Sequence, residues 1–328
     1  MNPRDCVQCL IPHANIHKAS AVAFAPSNIA LCKYWGKRDS VLNLPETGSL
    51  SIALGDLGTT TCIELSETGQ DCIEYAGKAL DEGSGFYRRV TSFLDLFRAP
   101  NQFFHIKTNN TVPLAAGLAS SASGFAALVK ALDDLYNWQL DLKTLSILAR
   151  LGSGSAARSF WPGFVEWHRG EQSDGLDSFA EPIETAWPEL CVGLILVSTE
   201  QKSRSSREAM KESRDTSPYY PVWPSKVKQD IAAIKPMIAD RSFGLLGQIA
   251  EQNALCMHAL MQTAVPPTYY ALPETLAAMR AVWALRKEGV SVYFTQDAGP
   301  NLKLLFEKSS EPSVRKRFPD MIVVEPFK

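Results

Sequence analysis

"PLAAGLASSASGFAAL", residues Pro113–Leu128, leaves its backbone unusually bare. It gathers small residues around Ser120, Ser121 and Ser123, then turns into an apolar run. In that run Phe125, Leu128, Val129, Leu132 and Leu135 follow the i, i+3, i+4, i+7 pattern of one helix face. Just upstream, "QFFHIKTNN" (Gln102–Asn110) reads as a strand. A strand, a bare loop and a helix in that order present free backbone N–H groups to an anion. The first helical turn leaves its donors unpaired, and the macrodipole puts partial positive charge at that end. Gly117 and Ala119 let the chain approach closely, and the serines add hydroxyl donors. The loop is not a Walker A element, because Gly124 precedes Phe125 and the next lysine, Lys130, lies well inside the helix. A well-capped helix packed against a sheet would give the same spacing, so the loop's meaning rests on the rest of the chain.

Outward from this point the pattern is mixed α and β. "AVAFAPSNIALCKYWGK" starts as a strand, breaks at Pro26 and resumes with Ile29 and Leu31, and "TTTCIELS" (Thr59–Ser66) alternates as a second strand. Phe86, Val90, Phe93 and Phe97 carry helical spacing, "LKTLSILARL" gives another helix, and a further one is expected to start near Ser155. The proline-bearing "AEPIETAWPEL" then resets the pattern, placing a boundary near residue 187 between domains 1–186 and 187–328. The second part predicts long helices over Ser225–Ala239, Ser242–Met261 and Pro273–Glu288, the last stopped by Gly289. "CVGLILV", "VSVYFTQ" and "MIVVEPF" supply its strands.

Four clusters suit anions. "SNIALCKYWGKRD" sets Lys33, Lys37 and Arg38 around Tyr34 and Trp35; an amphipathic edge strand is the plainer reading. "LGSGSAARS" places Ser153, Gly154 and Ser155 before Arg158, whose guanidinium could grip a carboxylate or phosphate with two parallel bonds. "KSRSSREAM" adds Ser206 and Arg207 in what reads as a polar loop. With the serine loop these make the set. "YFTQDAGPN" is different: Asp297 ends a strand at a sharp turn, where either an Asx-turn or a catalytic carboxylate fits.

Composition limits what such sites can serve. The chain has 328 residues, 45% apolar and 21% charged, enough for two domains sharing an interface. A net charge of −2 argues against a general nucleic-acid binder but leaves anionic small molecules open. No apolar run approaches membrane-spanning length and the N-terminus lacks a signal-peptide core, so a cytoplasmic protein without a membrane partner is expected. Seven scattered cysteines make no disulfide framework; Cys6 and Cys9 form an isolated C-x-x-C.

Taken together, "APSNIALCKYWGKRD", "PLAAGLASSASGFAAL", "LGSGSAARS" with "GFVEW", and "DAGPN" resemble the signature segments of the mevalonate diphosphate decarboxylase family of the GHMP superfamily. The resemblance runs in order from about Ala21 to the end and leaves the first twenty residues outside it. It implies a two-domain α+β GHMP-kinase fold. The N-terminal half would be ribosomal protein S5 domain 2-like, the C-terminal half ferredoxin-like, and the cleft between them would be the active site. It further implies conversion of mevalonate 5-diphosphate and ATP, with Mg²⁺, into isopentenyl diphosphate, ADP, phosphate and CO₂, by a homodimer. On that pattern Asn110, Gly117, Leu118, Ala119, Ser120, Ser121 and Ser123 would bind ATP, with Ser121 also reaching the metal. Tyr34, Lys37, Ser153, Gly154, Ser155, Ser206, Arg207 and Met210 would hold the diphosphate end. Arg158, oriented by Asn28, would hold the carboxylate, Asp297 would face the tertiary hydroxyl, and Lys33 would lie near the reacting groups.

The chemistry fits these residue types. Carbon dioxide cannot leave next to a plain tertiary carbon without an electron sink, and phosphorylating the hydroxyl creates a leaving group that supplies one. An ordinary Asp, with a pKa of about 3.9, cannot deprotonate an alcohol outright. It can orient the hydroxyl and take the proton late in a loose phosphoryl-transfer transition state. Three positions depart from the family pattern: Gln296, expected to make the cleft floor more polar; Ala157, a packing change; and Ala209, which could shift the element carrying Ser206 and Arg207. A mevalonate 5-phosphate decarboxylase, a 3-kinase and a non-catalytic binding protein are the rival readings, and Lys37 with Arg207 favours the diphosphate. Asp297→Asn is expected to leave ATP binding nearly intact while removing most turnover; full activity in that variant would rule out the role given to Asp297.

Overall fold

The computed structural model describes residues 1–12, 15–111, 120–200 and 204–328, with Ser120 by its backbone only. The chain opens with helix α1 (Pro3–Leu10), closed by a reciprocal capping box between Asn2 and Asp5. Cys6 and Val7 of α1 are fully buried while Cys9 is exposed, and both cysteines are free. The C-x-x-C thus presents one thiol to the core and the other to solvent. The N-terminal segment is held again where the His17 and Lys18 amides donate to the Leu135 carbonyl.

Strands β1 (Ser20–Cys32), β2 (Lys37–Asp39), β3 (Leu44–Pro45), β4 (Ser49–Leu65), β5 (Cys72–Tyr75) and β6 (Lys78–Ala79) come next. Helix α2 (Gly85–Leu94), β7 (Phe104–Asn110), helices α3 (Ser120–Tyr136) and α4 (Leu142–Gly152), β8 (Phe164–Trp167) and β9 (Ala180–Ile183) complete the first half. Among the described residues, the first sheet runs β6-β5-β7-β4-β8-β9, with β1 also paired to β4. Phe125, Leu128, Val129, Leu132 and Leu135 of α3 are all buried against the sheet and α2.

The break expected at Pro26 is a bulge inside one continuous strand. Register with β4 slips between Pro26, opposite Gly58, and Asn28, opposite Ala53. A bulge bends the strand and re-aims its later residues without ending the pairing. Gly58 is required here by close approach: a Cβ on it would sit 2.1 Å from the Ala25 carbonyl oxygen. The helix expected near Ser155 is instead a single 3-10 turn, Gly154–Arg158, so Arg158 closes a short turn and no helix dipole acts there.

The second half contains β10 (Leu190–Ile195), α5 (Ser206–Thr216), α6 (Trp223–Ala239), α7 (Phe243–Gln262), α8 (Pro273–Lys287), β11 (Val292–Gln296), β12 (Leu302–Glu307), α9 (Glu311–Arg317) and β13 (Ile322–Val324). Among the described residues its four strands form the antiparallel sheet β11-β12-β10-β13. Alternation along β11 and β12 gives the sheet two apolar faces. Phe294, Leu302, Leu304 and Phe306 pack with α8, whereas Tyr293 and Leu305 face a core shared with the first half. That shared core includes Ile29, Leu31 and Trp35 from β1 and its exit, with Val227, Ile231 and Met257 from α6 and α7. The seam between the halves is therefore packed like an interior.

Gly58→Ala is expected to force the bulge apart, since backbone cannot yield as a side-chain tip can. Thermal and denaturant unfolding should register a loss of about 1–3 kcal/mol; stability equal to the parent chain would show that the close approach carries no constraint.

Candidate active site

The bulge sends the end of β1 into the seam, where its exit is gripped by the second half. The Lys33 amide donates to Asn253 Oδ1 of α7 at 2.8 Å, and Asn253 in turn donates to Asp230 Oδ2 of α6 at 2.7 Å. Trp223 Nε1 donates to the Trp35 carbonyl at 2.9 Å. These bonds fix Lys33, Tyr34 and Lys37 along one wall of a cleft of about 280 Å³. The other walls come from α2, the start of α3, the 3-10 turn, the start of α5 and the turn after β11.

Asp297 sits at the floor. Lys33 Nζ lies 2.7 Å from its Oδ1 and Lys303 Nζ lies 3.1 Å from its Oδ2. Burial pushes this carboxyl upward, but Lys33 and Lys303 more than offset it and hold it well below the usual carboxylate range. Burial lowers the Lys33 ammonium, with Asp297 opposing the change. His258 Nε2 lies 3.1 Å from the Asp297 carbonyl, and burial with Lys33 nearby depresses its pKa to about 4, leaving the ring neutral.

Arg158 is almost fully buried. Its Nη2 donates to Asn28 Oδ1 at 3.1 Å and its Nη1 to Ser49 Oγ at 2.5 Å, while Nε has no partner among the described residues. Asn28 is itself held, donating to Ser159 Oγ at 2.8 Å and the Ser155 carbonyl at 3.2 Å. The guanidinium is thus aimed before any ligand arrives. Tyr34 packs edge-on against Trp167 and closely over Gly154, and its buried hydroxyl is unpartnered among the described residues.

Around these groups the cleft is short of negative charge. Among the described residues, Lys33, Lys37, Arg89, Arg158 and Arg207 line it against the single carboxylate of Asp297. Burial, then the nearby Arg207, brings Lys37 down to about 8 and Arg89 to about 10; burial brings Arg158 to about 10. Cations desolvated without matching anions form a receptor for a polyanion. Hydroxyl donors stand beside them: Ser121 Oγ lies 3.3 Å from Ser153 Oγ, which is 3.3 Å from Ser155 Oγ.

Most of the site residues read from sequence meet here: Asn28, Lys33, Tyr34, Lys37, Ser121, Ser153, Gly154, Ser155, Arg158, Ser206, Arg207, Met210 and Asp297 all line the cleft. Ser206 and Arg207 occupy the first turn of α5, not a loop; Ser205 caps that helix in a reciprocal box with Glu208. Ala209 is buried inside α5, a favourable helix position. Three residues named from the sequence stand outside the described lining of the cleft. Ser123 is fully buried with its hydroxyl bonded to Thr59 at 2.7 Å and Ser27 at 3.2 Å, so it pins α3 to the sheet. Asn110 pairs with Thr59 along β7, and its side chain bonds Tyr75, outside the cleft lining. Gln296 does not line the cleft floor; it is buried and donates to the Gly299 carbonyl at 2.8 Å, bracing the turn after Asp297. Gly117, Leu118 and Ala119 lie outside the described residues, as does the Ser120 side chain.

Sequence reasoning missed Arg89, Ser49 and Lys303. Arg89 sits three residues after Phe86 and four before Phe93, a charge on the apolar face of α2 stacked over Phe125 at 5.2 Å. Lys303 is a charge within the buried run of β12. A charge on a face that should be apolar was the available signal in both cases. Ser49 carried none.

Residues 25–180 match the diphosphomevalonate decarboxylase-like N-terminal domain, and residues 192–325 match the mevalonate 5-diphosphate decarboxylase C-terminal domain. Diphosphomevalonate decarboxylase mvd1 of Aspergillus fumigatus is 37% identical over 317 residues, spanning 89% of this chain and 78% of its own. Mevalonate diphosphate decarboxylase from Staphylococcus aureus superposes with a TM-score of 0.88 at 35% identity, covering 94% of this chain and 95% of that one. A structure of MDDEF in complex with MVAPP, AMPPCP and magnesium gives 0.88 at 37% identity, covering 94% and 96%.

Because Ser49 completes the cage around Arg158, Ser49→Ala should leave a buried guanidinium N–H unpaired. Urea titration should then show a loss of about 1–3 kcal/mol, whereas an unchanged midpoint would mean that the Arg158–Ser49 bond contributes nothing.

Proposed function

The chain belongs to the diphosphomevalonate decarboxylase family, and from that premise we propose a division of labour among its cleft residues. The protein is a carboxy-lyase that decarboxylates mevalonate 5-diphosphate at the expense of ATP, on a two-domain α+β GHMP-kinase fold. Arg158, fixed by Asn28 and Ser49, holds the substrate carboxylate in a bidentate grip. Asp297 orients the tertiary hydroxyl and takes its proton as the phosphoryl group is transferred, and Lys33 offsets charge on that group. Carbon dioxide then leaves, its bonding pair forming the new double bond as phosphate departs.

The diphosphate end is assigned to Tyr34, Lys37, the Ser153–Ser155 turn, Ser206, Arg207 and Met210. The observation that carries this is the surplus of desolvated cations lining the cleft, with Arg207 near enough to disfavour the charge on Lys37 where an anion between them would favour it. ATP is assigned to the segment from Gly117 to Ser121, with Arg89 added as a phosphate partner on the strength of its position in the cleft. MDDEF was solved with AMPPCP and magnesium, and the cleft here fits such a group: nucleotide-borne Mg²⁺ needs few protein ligands, and Ser121 offers a hydroxyl. When bound, that ion neutralises phosphate charge.

The division into 1–186 and 187–328 belongs to the same proposal, supported by the first sheet ending at Ile183 and the second beginning at Leu190. So do a cytoplasmic location and a homodimer. Seven free cysteines support a reducing compartment, and no described helix is long and apolar enough to cross a membrane. The exposed apolar side chains of Tyr219, Val222, Val265 and Tyr269 support contact with a second copy.

The deciding assay offers MgATP with mevalonate, its 5-phosphate or its 5-diphosphate and records ADP and CO₂ together. Equal release of both, with the diphosphate alone, is the expected outcome. ADP without CO₂ would assign a kinase, and preference for the monophosphate would overturn the roles of Lys37 and Arg207.

A further inference from the structure

Lys303 is a buried charged group beside the catalytic carboxylate that the roles above leave unused. It is 2% exposed and is the second residue of β12, opposite Thr295 of β11 and Leu194 of β10. Strand alternation puts it on the same face as Leu305, which belongs to the core shared by the two halves. An ammonium in such a place is costly unless paired. Its partners are Asp297 Oδ2 at 3.1 Å and the Asn301 carbonyl at 3.4 Å. It does not line the cleft, so no ligand reaches it directly.

Lys33 differs in that respect. It lines the cleft, with its Nζ divided between Asp297 Oδ1 and the Ala30 carbonyl at 2.8 Å. The proposed function needs its charge at the transferring phosphoryl group. If Lys33 were the sole partner of Asp297, turning toward that group would leave a carboxylate uncompensated at the floor of a desolvated cleft. Such a carboxylate would rotate or take up a proton, and a protonated acid cannot accept the hydroxyl proton.

We infer that Lys303 is a positioning residue: it anchors Oδ2 permanently, so that Asp297 stays ionised and aimed while Lys33 is released to the reacting groups. The inference rests on the role given to Asp297 above. Among the described residues, four groups act on this carboxylate from the elements packed around it: Lys33 at the exit of β1, Lys303 of β12, Arg158 of the 3-10 turn, and His258 of α7, which meets the Asp297 main-chain carbonyl. His258 is neutral through the working range, so removing Lys303 leaves Lys33 and Arg158 as the remaining charges.

The test is the pH dependence of kcat and KM, with mevalonate 5-diphosphate and MgATP, for the parent enzyme, Lys303→Met, Lys303→Arg and Asp297→Asn. Losing a positive charge raises the carboxyl's pKa, so the acid limb of the Lys303→Met profile should move to higher pH. Its kcat should fall on the order of a hundredfold, the scale for a misplaced reacting group, with both KM values little changed. Lys303→Arg should bring the limb back. Should the methionine variant not fold, Lys303→Gln keeps a donor for Oδ2 without the charge and should show the same displaced limb. An unmoved limb in a folded neutral variant, or an arginine variant no better than methionine, overturns the inference and makes Lys303 merely structural. Full activity in Asp297→Asn would instead sink the parent reading, whatever Lys303 does.

Discussion

The ion pair between Lys33 and Asp297 joins residues 264 apart in the chain, one from each half, and the active cleft is arranged around it. Both groups sit where desolvation opposes charge. Such a pair adds little to stability compared with apolar packing, and breaking it by removing one partner is costly. Its retention at a cleft between the halves therefore points to chemistry. The surrounding structure supplies what the pair needs: Lys303 on the second carboxylate oxygen, the Ala30 carbonyl on the ammonium, and Asn253 on the Lys33 amide. Asp230 holds Asn253, so the position of Lys33 depends on two helices of the other half.

The same seam explains why the cleft is ready for anions. Packing the halves through a common core brings α2, the 3-10 turn and the start of α5 within reach of one ligand. Arg207 crosses the cleft to donate to the Gly152 carbonyl at 3.1 Å, tying α5 to the end of α4. Each half delivers cations, and among the described residues lining the cleft only Asp297 offers them a carboxylate. Their mutual repulsion and lost hydration are held in the folded chain by its core, and a polyphosphate ligand relieves both. This is the physical basis for reading the pocket as a receptor built before its ligands arrive.

Much of the fold was legible because its signals are local. Helical periodicity placed α3, α4, α6, α7 and α8 within a few residues, and strand-like runs placed β7, β10, β11 and the second part of β4, whose first ten residues, from Ser49, the reading left out. The errors share one cause. Pro26 reads as a break because proline lacks a donor, yet a bulge absorbs it once β4 offers Gly58 opposite. Ser155 reads as a helix start because small residues and a serine cap look alike at either length of turn. Ser206 reads as loop because polar composition hides a capping box.

What the sequence determined by itself was the set of chemical groups and the short backbones that carry them: the small-residue segment before α3, the serine turn before Arg158, the lysines after β1 and the aspartate after β11. Those depend on neighbours a few residues away. Only the tertiary structure decided which of them face one another. Ser123 turned toward the sheet because the face of α3 that carries it packs on β1 and β4. Arg89 and Lys303 joined the site because the apolar faces they interrupt meet the cleft and the seam. A side chain's direction is fixed by the packing of its whole element, and packing is settled between residues that the sequence keeps far apart.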